Sequence, residues 1–452
     1  MFDAEKLAIY TGGYWYPAAP EKRISGIETD TRKELAGRLF VALRGDRFDA
    51  HDFLSAAFEK GAFLCVNKEK VSRVPEGALA LVVDDTLKAF QNISNCYRKE
   101  FADLKLFAVT GSVGKTSVKE MLKSVLVEYS GENAVVATTG NTNNHIGVPQ
   151  NLLRLNRGIT HAVIEMGTSS PGEIAVLSEM SVPDVALVNS VAPCHLEKLI
   201  DLAGVAGEKG DIFKFLSTDG VAVLPCDIPE TDILKHSAGN RRIITFGEFG
   251  TSADITSRFI EGGLHGSRFE LILKSGTFTI SWSLTGRHQC RNASAAAAAA
   301  YAAGIPDDVI ARGLANTTLP GMRGKIISVN GAEILNDAYN ASPASMAAVL
   351  EMFAEAEVSG KKVLLLGTML ELGENSTLEH DKILKQARKL FPDGRIITVG
   401  SGFAGLDGAD IHYNKSEDAS SEIADLCVPG TTILVKGSRG TALEKALPQE
   451  AR

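Results

Sequence analysis

The stretch 104–122, LKLFAVTGSVGKTSVKEML, is the one that most narrows what this chain can fold into. An apolar run over 106–109 ends abruptly in Thr110-Gly111-Ser112-Val113-Gly114-Lys115-Thr116-Ser117. A helical pattern begins there, with Val118, Met121, Leu122 and Val125 at i, i+3, i+4, i+7 spacing. Strand, glycine turn, Lys-Thr and helix together form a phosphate cradle. Glycines let backbone N–H groups approach the oxygens, the helix N-terminus adds its dipole, and Lys115 supplies a point charge. The Thr116 hydroxyl is placed for a Mg²⁺ that bridges two phosphates. The usual pattern has a glycine five residues before Gly114, where this chain has Val109. A glycine turn that merely opens a helix is the plainer alternative. The GKT triplet between a strand and a helix favours a nucleoside triphosphate site.

Around this stretch the chain is long. Its 452 residues allow about three domains. With 44% apolar and 23% charged residues the composition is that of a globular protein, and no apolar run reaches the roughly 18 residues a membrane span needs. The first ten residues lack the basic-then-apolar layout of a signal peptide. Six cysteines lie scattered and never as CxxC, which disfavours zinc or a disulfide framework and fits a reducing cytoplasm. A net charge of −8 with no basic block argues against nucleic acid as the main partner.

Three α/β segments are expected: 1–98, 99–318 and 319–452. In the first, strands are expected over 39–43 and 79–85 and a helix over 53–62. Two polar turns accompany them: Ser25-Gly26-Ile27-Glu28-Thr29-Asp30-Thr31-Arg32, by itself a solvated loop, and Gly45-Asp46-Arg47-Phe48-Asp49. In the second, an Asn-dense loop holds Asn141, Asn143, Asn144 and His145. Strand patterns over 161–166 and 184–191 put Glu165 and His195 on the same carboxyl edge of a parallel sheet as Thr116. A strand-end acid there is the natural second partner for magnesium. Further strands are expected over 220–224, 242–246 and 269–273, then an Ala-rich helix after Gly286. Lys209 taken alone reads as a surface lysine. In the third segment, strands over 333–337, 362–366, 395–399 and 431–435 alternate with helices over 345–355 and 380–391. Polar loops follow the strands at 337–343, 367–374 and 436–440.

In this order the motifs resemble the Mur ligases. Thr29-Asp30-Thr31-Arg32 with the strand 39–43 is similar to that family's uridine-nucleotide-binding region. Thr110–Thr116 matches the family's own P-loop, which explains Val109. Glu165-Met166-Gly167, the segment around His195, residues 286–292, Pro320-Gly321-Met322-Arg323, 336–343 and 366–373 match as well. The resemblance implies an ATP-dependent amide-forming ligase. Its substrates would be UDP-N-acetylmuramoyl-tripeptide and D-alanyl-D-alanine, and its path an acyl phosphate. It further implies that Lys115 and Thr116 hold the triphosphate and a first Mg²⁺, while Glu165, His195 and a carbamylated Lys209 hold a second. Asn292, Arg323, Asp337 and Tyr339 would meet the nucleotide. Ser25, the Thr29–Arg32 turn, Asn141, Asn143 and Asn144 would meet the UDP substrate. Asn340, Ala341, Ser342, Leu370 and Glu371 would meet the dipeptide. A cytoplasmic monomer involved in peptidoglycan synthesis follows from the same resemblance.

His145 and Thr168-Ser169-Ser170 depart from the family pattern in loops that touch the peptide-bearing substrate. The relative that adds the third peptide residue carries an Asn-Pro-Arg-type loop in its last domain, and no Asn-Pro occurs here. Folylpolyglutamate synthetases lack the front segment. The remaining alternatives are a ligase for another amine and a nucleotide-gated binding module that ligates nothing.

Overall fold

A computed structural model describes residues 2–45, 48–358 and 360–452; Asp46 and Arg47 of the second polar turn lie outside the described residues. The described residues form three sheets of five, nine and six strands.

The central sheet is built around the apolar run of the P-loop stretch. Strand Lys105–Thr110 is flanked by His161–Glu165 on one side and Val185–Val188 on the other, both parallel to it. Consecutive strands are thus laid down on opposite sides of it, which makes its carboxyl end a topological switch point where an open α/β sheet leaves a crevice. Val109 is fully buried within this strand, so the position where an outer glycine is usual is core here. The P-loop helix Lys115–Ser130 buries Val118, Met121, Leu122 and Val125, the stripe its spacing predicts. Against it lies Arg287–Ala302, whose six alanines 295–300 are all buried. Side chains of one methyl group let two helices approach closely, and both pack on the same face of the sheet.

Three strands of this sheet escape the sequence expectation, the short Val135–Ala137 and two more towards the opposite edge. Ile255–Gly263 and Gly276–Trp282 flank Gly266–Leu273 antiparallel, extending the parallel sheet at one edge. Their outer faces are solvated, so they lack the continuous apolar run that marks the other strands.

The C-terminal sheet repeats the switch-point logic. Thr431–Lys436 lies between Ala332–Asn336 and Lys361–Gly367, parallel to both. The three polar loops after these strands therefore emerge side by side. Helix Pro343–Glu355 starts two residues earlier than expected because Ser342 caps it and proline occupies its first position. Helix Ser376–Leu390 likewise starts four residues early. In the N-terminal sheet the expected helix 53–62 is a 3₁₀ turn, Ala50–Phe53, followed by the shorter helix Leu54–Glu59.

The N-terminal and central sheets are tied by helix Thr86–Lys99. Its Arg98, 7% exposed, donates to the carbonyls of Ser181 and Phe101 and pairs with Asp184 at 3.2 Å. No helix among the described residues is long and apolar enough to cross a membrane.

Candidate active site

The two crevices face each other across a cleft of about 760 Å³, in the size range of ligand sites. Its central wall begins at the P-loop. Gly114 has φ +79°, and a Cβ there would lie 2.5 Å from Asn189 Nδ2 and 2.6 Å from Asn292 Oδ1. Only glycine permits both that backbone turn and that approach. The loop is clamped to the next strand end: Ser112 N–H donates to the Ser190 carbonyl, Val113 N–H to Ser190 Oγ, and Ser112 Oγ to the Ala192 carbonyl. Lys115 Nζ donates to the Gly111 carbonyl at 2.7 Å, folded over the cradle. Ser117 lines the same wall.

Thr116 and Glu165 meet as the sheet edge predicts. Thr116 Oγ1 donates to Glu165 Oε2 at 3.0 Å, and Asn143 Nδ2 donates to Glu165 Oε1 at 2.8 Å. Glu165 is 2% exposed, and among the described residues no cation lies within 4.0 Å of it. A buried carboxylate without a counter-ion is costly, and hard oxygen donors suit magnesium, so the residues present fit that ion. Among the described residues no three His, Cys, Asp or Glu side chains converge. The expected donor set does not require three, since it offers one carboxylate, one imidazole, a hydroxyl and Lys209.

Lys209 corrects the surface-lysine expectation: it is 2% exposed, near the end of helix Leu202–Gly210. The helix packs against helices Glu173–Ser181 and Thr231–Ala238, and the side chain is buried with no carboxylate within 4.0 Å among the described residues. Burial, with the neighbouring Lys115 cation, pushes its pKa down to about 8. A buried amine that sheds its proton so readily is chemically suited to carbamylation. His195, at φ +50°, is held below its ordinary pKa by burial, partly opposed by Glu371, whose carboxylate lies 3.2 Å from Nδ1. A neutral imidazole can act as a ligand.

The opposite wall comes from the C-terminal sheet. Arg323 stacks on the Tyr339 ring, 3.5 Å from its centroid, and donates to Thr116 Oγ1 at 3.2 Å. Asp337 pairs with buried Lys436 at 2.5 Å, and Lys436 also donates to the Asn340 carbonyl. Asn340, Ala341, Ser342, Leu370 and Glu371 line this side, and Asn292 lies at the P-loop end. Ser342 also caps its helix, accepting from Ser345 N–H.

The front turn stands apart. Ser25, Thr29, Asp30, Thr31 and Arg32 do not line the cleft. Arg32 grips Asp30 with two arms at 2.9 and 2.7 Å, holding that carboxyl at about 2. Thr29 Oγ1 accepts from Gln150 Nε2, on the short helix Gly147–Leu152, at 3.0 Å. Asn141 reaches the cleft, whereas Asn144 accepts from the Ile146 and Gly147 N–H groups at the start of a short helix. Sequence reasoning gave no role to His288, Gln289, Lys436, Ser438 and Arg439, which also line the cleft. The available signal was position: the last three follow a strand at the carboxyl edge. Burial pushes the His288 imidazole down to about 4, so it is neutral at physiological pH.

The chain matches the Mur ligase middle domain over residues 109–300 and the family described as Mur ligase, glutamate ligase domain, over 322–439. It is 37% identical to UDP-N-acetylmuramoyl-tripeptide–D-alanyl-D-alanine ligase of Escherichia coli K12, covering 94% of this chain and 93% of that one. The enzyme of the same name from Bacillus subtilis 168 is 36% identical, with 95% and 93% covered. Among solved structures, MurF from Acinetobacter baumannii superposes with a TM-score of 0.90 at 30% identity, covering 98% and 97%. MurF from Thermotoga maritima in complex with ADP gives 0.82 at 25% identity, covering 94% and 96%. With relatives this similar along nearly their whole length, the chain belongs to the Mur ligase family.

Proposed function

We infer that this protein is an ATP-dependent ligase that joins D-alanyl-D-alanine to UDP-N-acetylmuramoyl-tripeptide, completing the pentapeptide precursor of peptidoglycan. The observation that carries the reading is the pairing of walls. Across a cleft of about 760 Å³, a P-loop and a carboxylate with no counter-ion among the described residues face three loops from a second sheet. Three working units follow: residues 1–98 for the nucleotide-sugar, 99–318 for ATP, and 319–452 for the dipeptide. Resemblance to the family supports a cytoplasmic monomer.

The reaction transfers the γ-phosphoryl group of ATP to the free carboxylate of the tripeptide, giving ADP and an acyl phosphate. The amine of the dipeptide attacks the carbonyl, the C–O bond to phosphate breaks, and the amine's surplus proton leaves as the amide forms. Most of what the protein contributes is positioning and neutralisation of charge. The P-loop N–H groups and Lys115 cradle the β- and γ-phosphates. Thr116 and Glu165 would hold one Mg²⁺, and Glu165, His195 and carbamylated Lys209 a second. These ions would offset repulsion between carboxylate and phosphate. Arg323 reaches Thr116 from the opposite wall, where it and Tyr339 cover the nucleotide, with Asn292 beneath. Asp337 is placed for the ribose. Closing the C-terminal wall over ATP, through Arg323 and Asp337, would keep water from the acyl phosphate. Ser25, Thr29–Arg32, Asn141, Asn143 and Asn144 are assigned to the UDP substrate, with Asn143 also orienting Glu165.

A phosphate-release assay with the purified protein tests this. Release should require ATP, UDP-tripeptide and dipeptide together and should accompany a joined product seen by mass spectrometry. ATP consumption without joined product would leave only a nucleotide-gated binding module.

A further inference from the structure

The loop Lys436-Gly437-Ser438-Arg439-Gly440 enters the cleft, yet the reaction described above leaves Arg439 without a task. A dipeptide acceptor is a zwitterion. Its ammonium end must reach the activated carboxyl, and its carboxylate lies about two residues away, roughly 7 Å when extended. A carboxylate drawn out of water requires a cation or several N–H donors.

Five cationic side chains line the cleft: Lys115, Arg291, Arg323, Lys436 and Arg439. Four are engaged elsewhere. Lys115 folds over the P-loop, Arg291 pairs with Asp227 at 2.6 Å, Arg323 lies between Tyr339 and Thr116, and Lys436 is buried against Asp337. Arg439 differs from all of them. Its side chain is 57% exposed, and it meets Glu444 by one arm, Nη1 to Oε1 at 2.7 Å. Glu444 does not line the cleft, and its other oxygen is buried with no hydrogen-bond partner among the described residues. Most of the guanidinium's five donors therefore remain available.

Its neighbours place it at the acceptor loop. A Cβ on Gly440 would come within 2.7 Å of Leu370 Cδ1, so the two loops are in contact. At the other end of that contact Glu371 reaches His195, on the side where the carboxyl is activated. Glu371 and Arg439 thus stand on two loops that touch, one anionic and one cationic. A dipeptide zwitterion needs one partner of each sign.

We propose that Arg439 is a specificity-determining residue that binds the C-terminal carboxylate of the incoming dipeptide. The proposal rests on the ligase reading above. Steady-state kinetics with D-alanyl-D-alanine and its C-terminal amide test it on the intact protein, using wild type, Arg439→Met and Arg439→Lys. Wild type should show a KM for the amide ~30-fold above that for the free acid, the worth of a charge-assisted pair. Arg439→Met should raise the KM of the free dipeptide by about the same factor and abolish the preference for acid over amide. Its KM values for ATP and UDP-tripeptide should stay within ~2-fold, and Arg439→Lys should fall between the two. Equal KM for acid and amide in wild type overturns the proposal, and that measurement needs no variant to fold. So does an Arg439→Met protein that still prefers the acid, or one in which all three KM values rise together. If wild type makes no dipeptide-dependent product, the ligase reading itself fails, which is a separate result.

Discussion

The two sheets that face each other across the cleft build their walls by different means. The central wall presents backbone to the cleft, with Ser112 Oγ and Ser190 Oγ helping to clamp it. Its P-loop turns on Gly114, approaches Asn189 and Asn292 closer than any side chain would permit, and is clamped by main-chain groups of Ser112 and Val113. The C-terminal wall is held by side chains. Ser438 Oγ accepts from Leu370 N–H at 3.0 Å and donates to the Ala341 carbonyl at 3.3 Å, joining two loops from different strands. Lys436 bridges Asp337 and Asn340. His380 accepts from Met369 N–H and contacts the Ser376 carbonyl. A phosphate is the same in every nucleotide, and a fixed backbone suits it. An acceptor varies among ligases, and loops held by side chains can be re-cut one residue at a time.

Breaking the central wall should therefore cost the most and leave the fold untouched. Lys115→Ala is expected to lower kcat for amide formation by at least ~10³-fold, with the circular dichroism spectrum unchanged. Lost activity together with lost structure would mean Lys115 is a structural residue. Lys209→Ala should cost ~10²-fold or more, with partial rescue by short carboxylic acids. Near-normal activity without such additives would remove the carbamate from the account.

Lys209 also predicts a pH dependence of stability. Its folded pKa of about 8 lies below its ordinary 10.5, so between these values the unfolded chain binds more protons. The burial penalty is therefore full below about pH 8 and disappears as pH rises toward 10.5. Relative to Lys209→Met, the wild-type protein in CO₂-free buffer should gain roughly 3 kcal/mol across that window in denaturant melts. A flat difference would show that the amine is solvated or already paired.

The contrast between the walls also explains what could be read from sequence. The P-loop was legible because its chemistry is local: a strand, two glycines, Lys-Thr and a helix are contiguous. Glu165 and His195 followed from strand ends on one edge. Lys209 was misread as a surface residue because one lysine in a helix of small residues says nothing about which way it faces; family resemblance supplied its role and packing its burial. Ser438 and His380 were illegible because their partners lie 68 and 11 residues away, and no local pattern records that pairing. The antiparallel strands at the edge of the central sheet were missed because their solvated faces interrupt the apolar run.

On the side-chain-built wall the expected losses are smaller and selective. Ser438→Ala removes the partly buried bond that ties the Leu370 N–H to the neighbouring loop and should raise the dipeptide KM by ~10-fold, with the ATP KM nearly unchanged. An equal rise in both would erase the distinction between the walls.

The smallest effect is expected at His380, and it sharpens the comparison most. The ring is fully buried, edge-on to Phe403. Nε2 accepts from Met369 N–H at 2.8 Å, so Nδ1 must carry the proton toward the Ser376 carbonyl at 2.6 Å. Protonation would convert the acceptor into a donor facing an N–H, and burial accordingly keeps the pKa below its ordinary 6.5. A lowered folded pKa means the unfolded chain takes up the proton first, so the staple's stability is present above 6.5 and lost as pH falls below it. His380→Asn, which can hold one end but not both, should raise the dipeptide KM by ~3-fold at pH 8. Its stability deficit against wild type should shrink on acidification below pH 6.5, measured by urea melts at several pH values. A deficit that stays constant with pH would show that the imidazole serves as packing alone, and the acceptor loop would owe its position to Ser438.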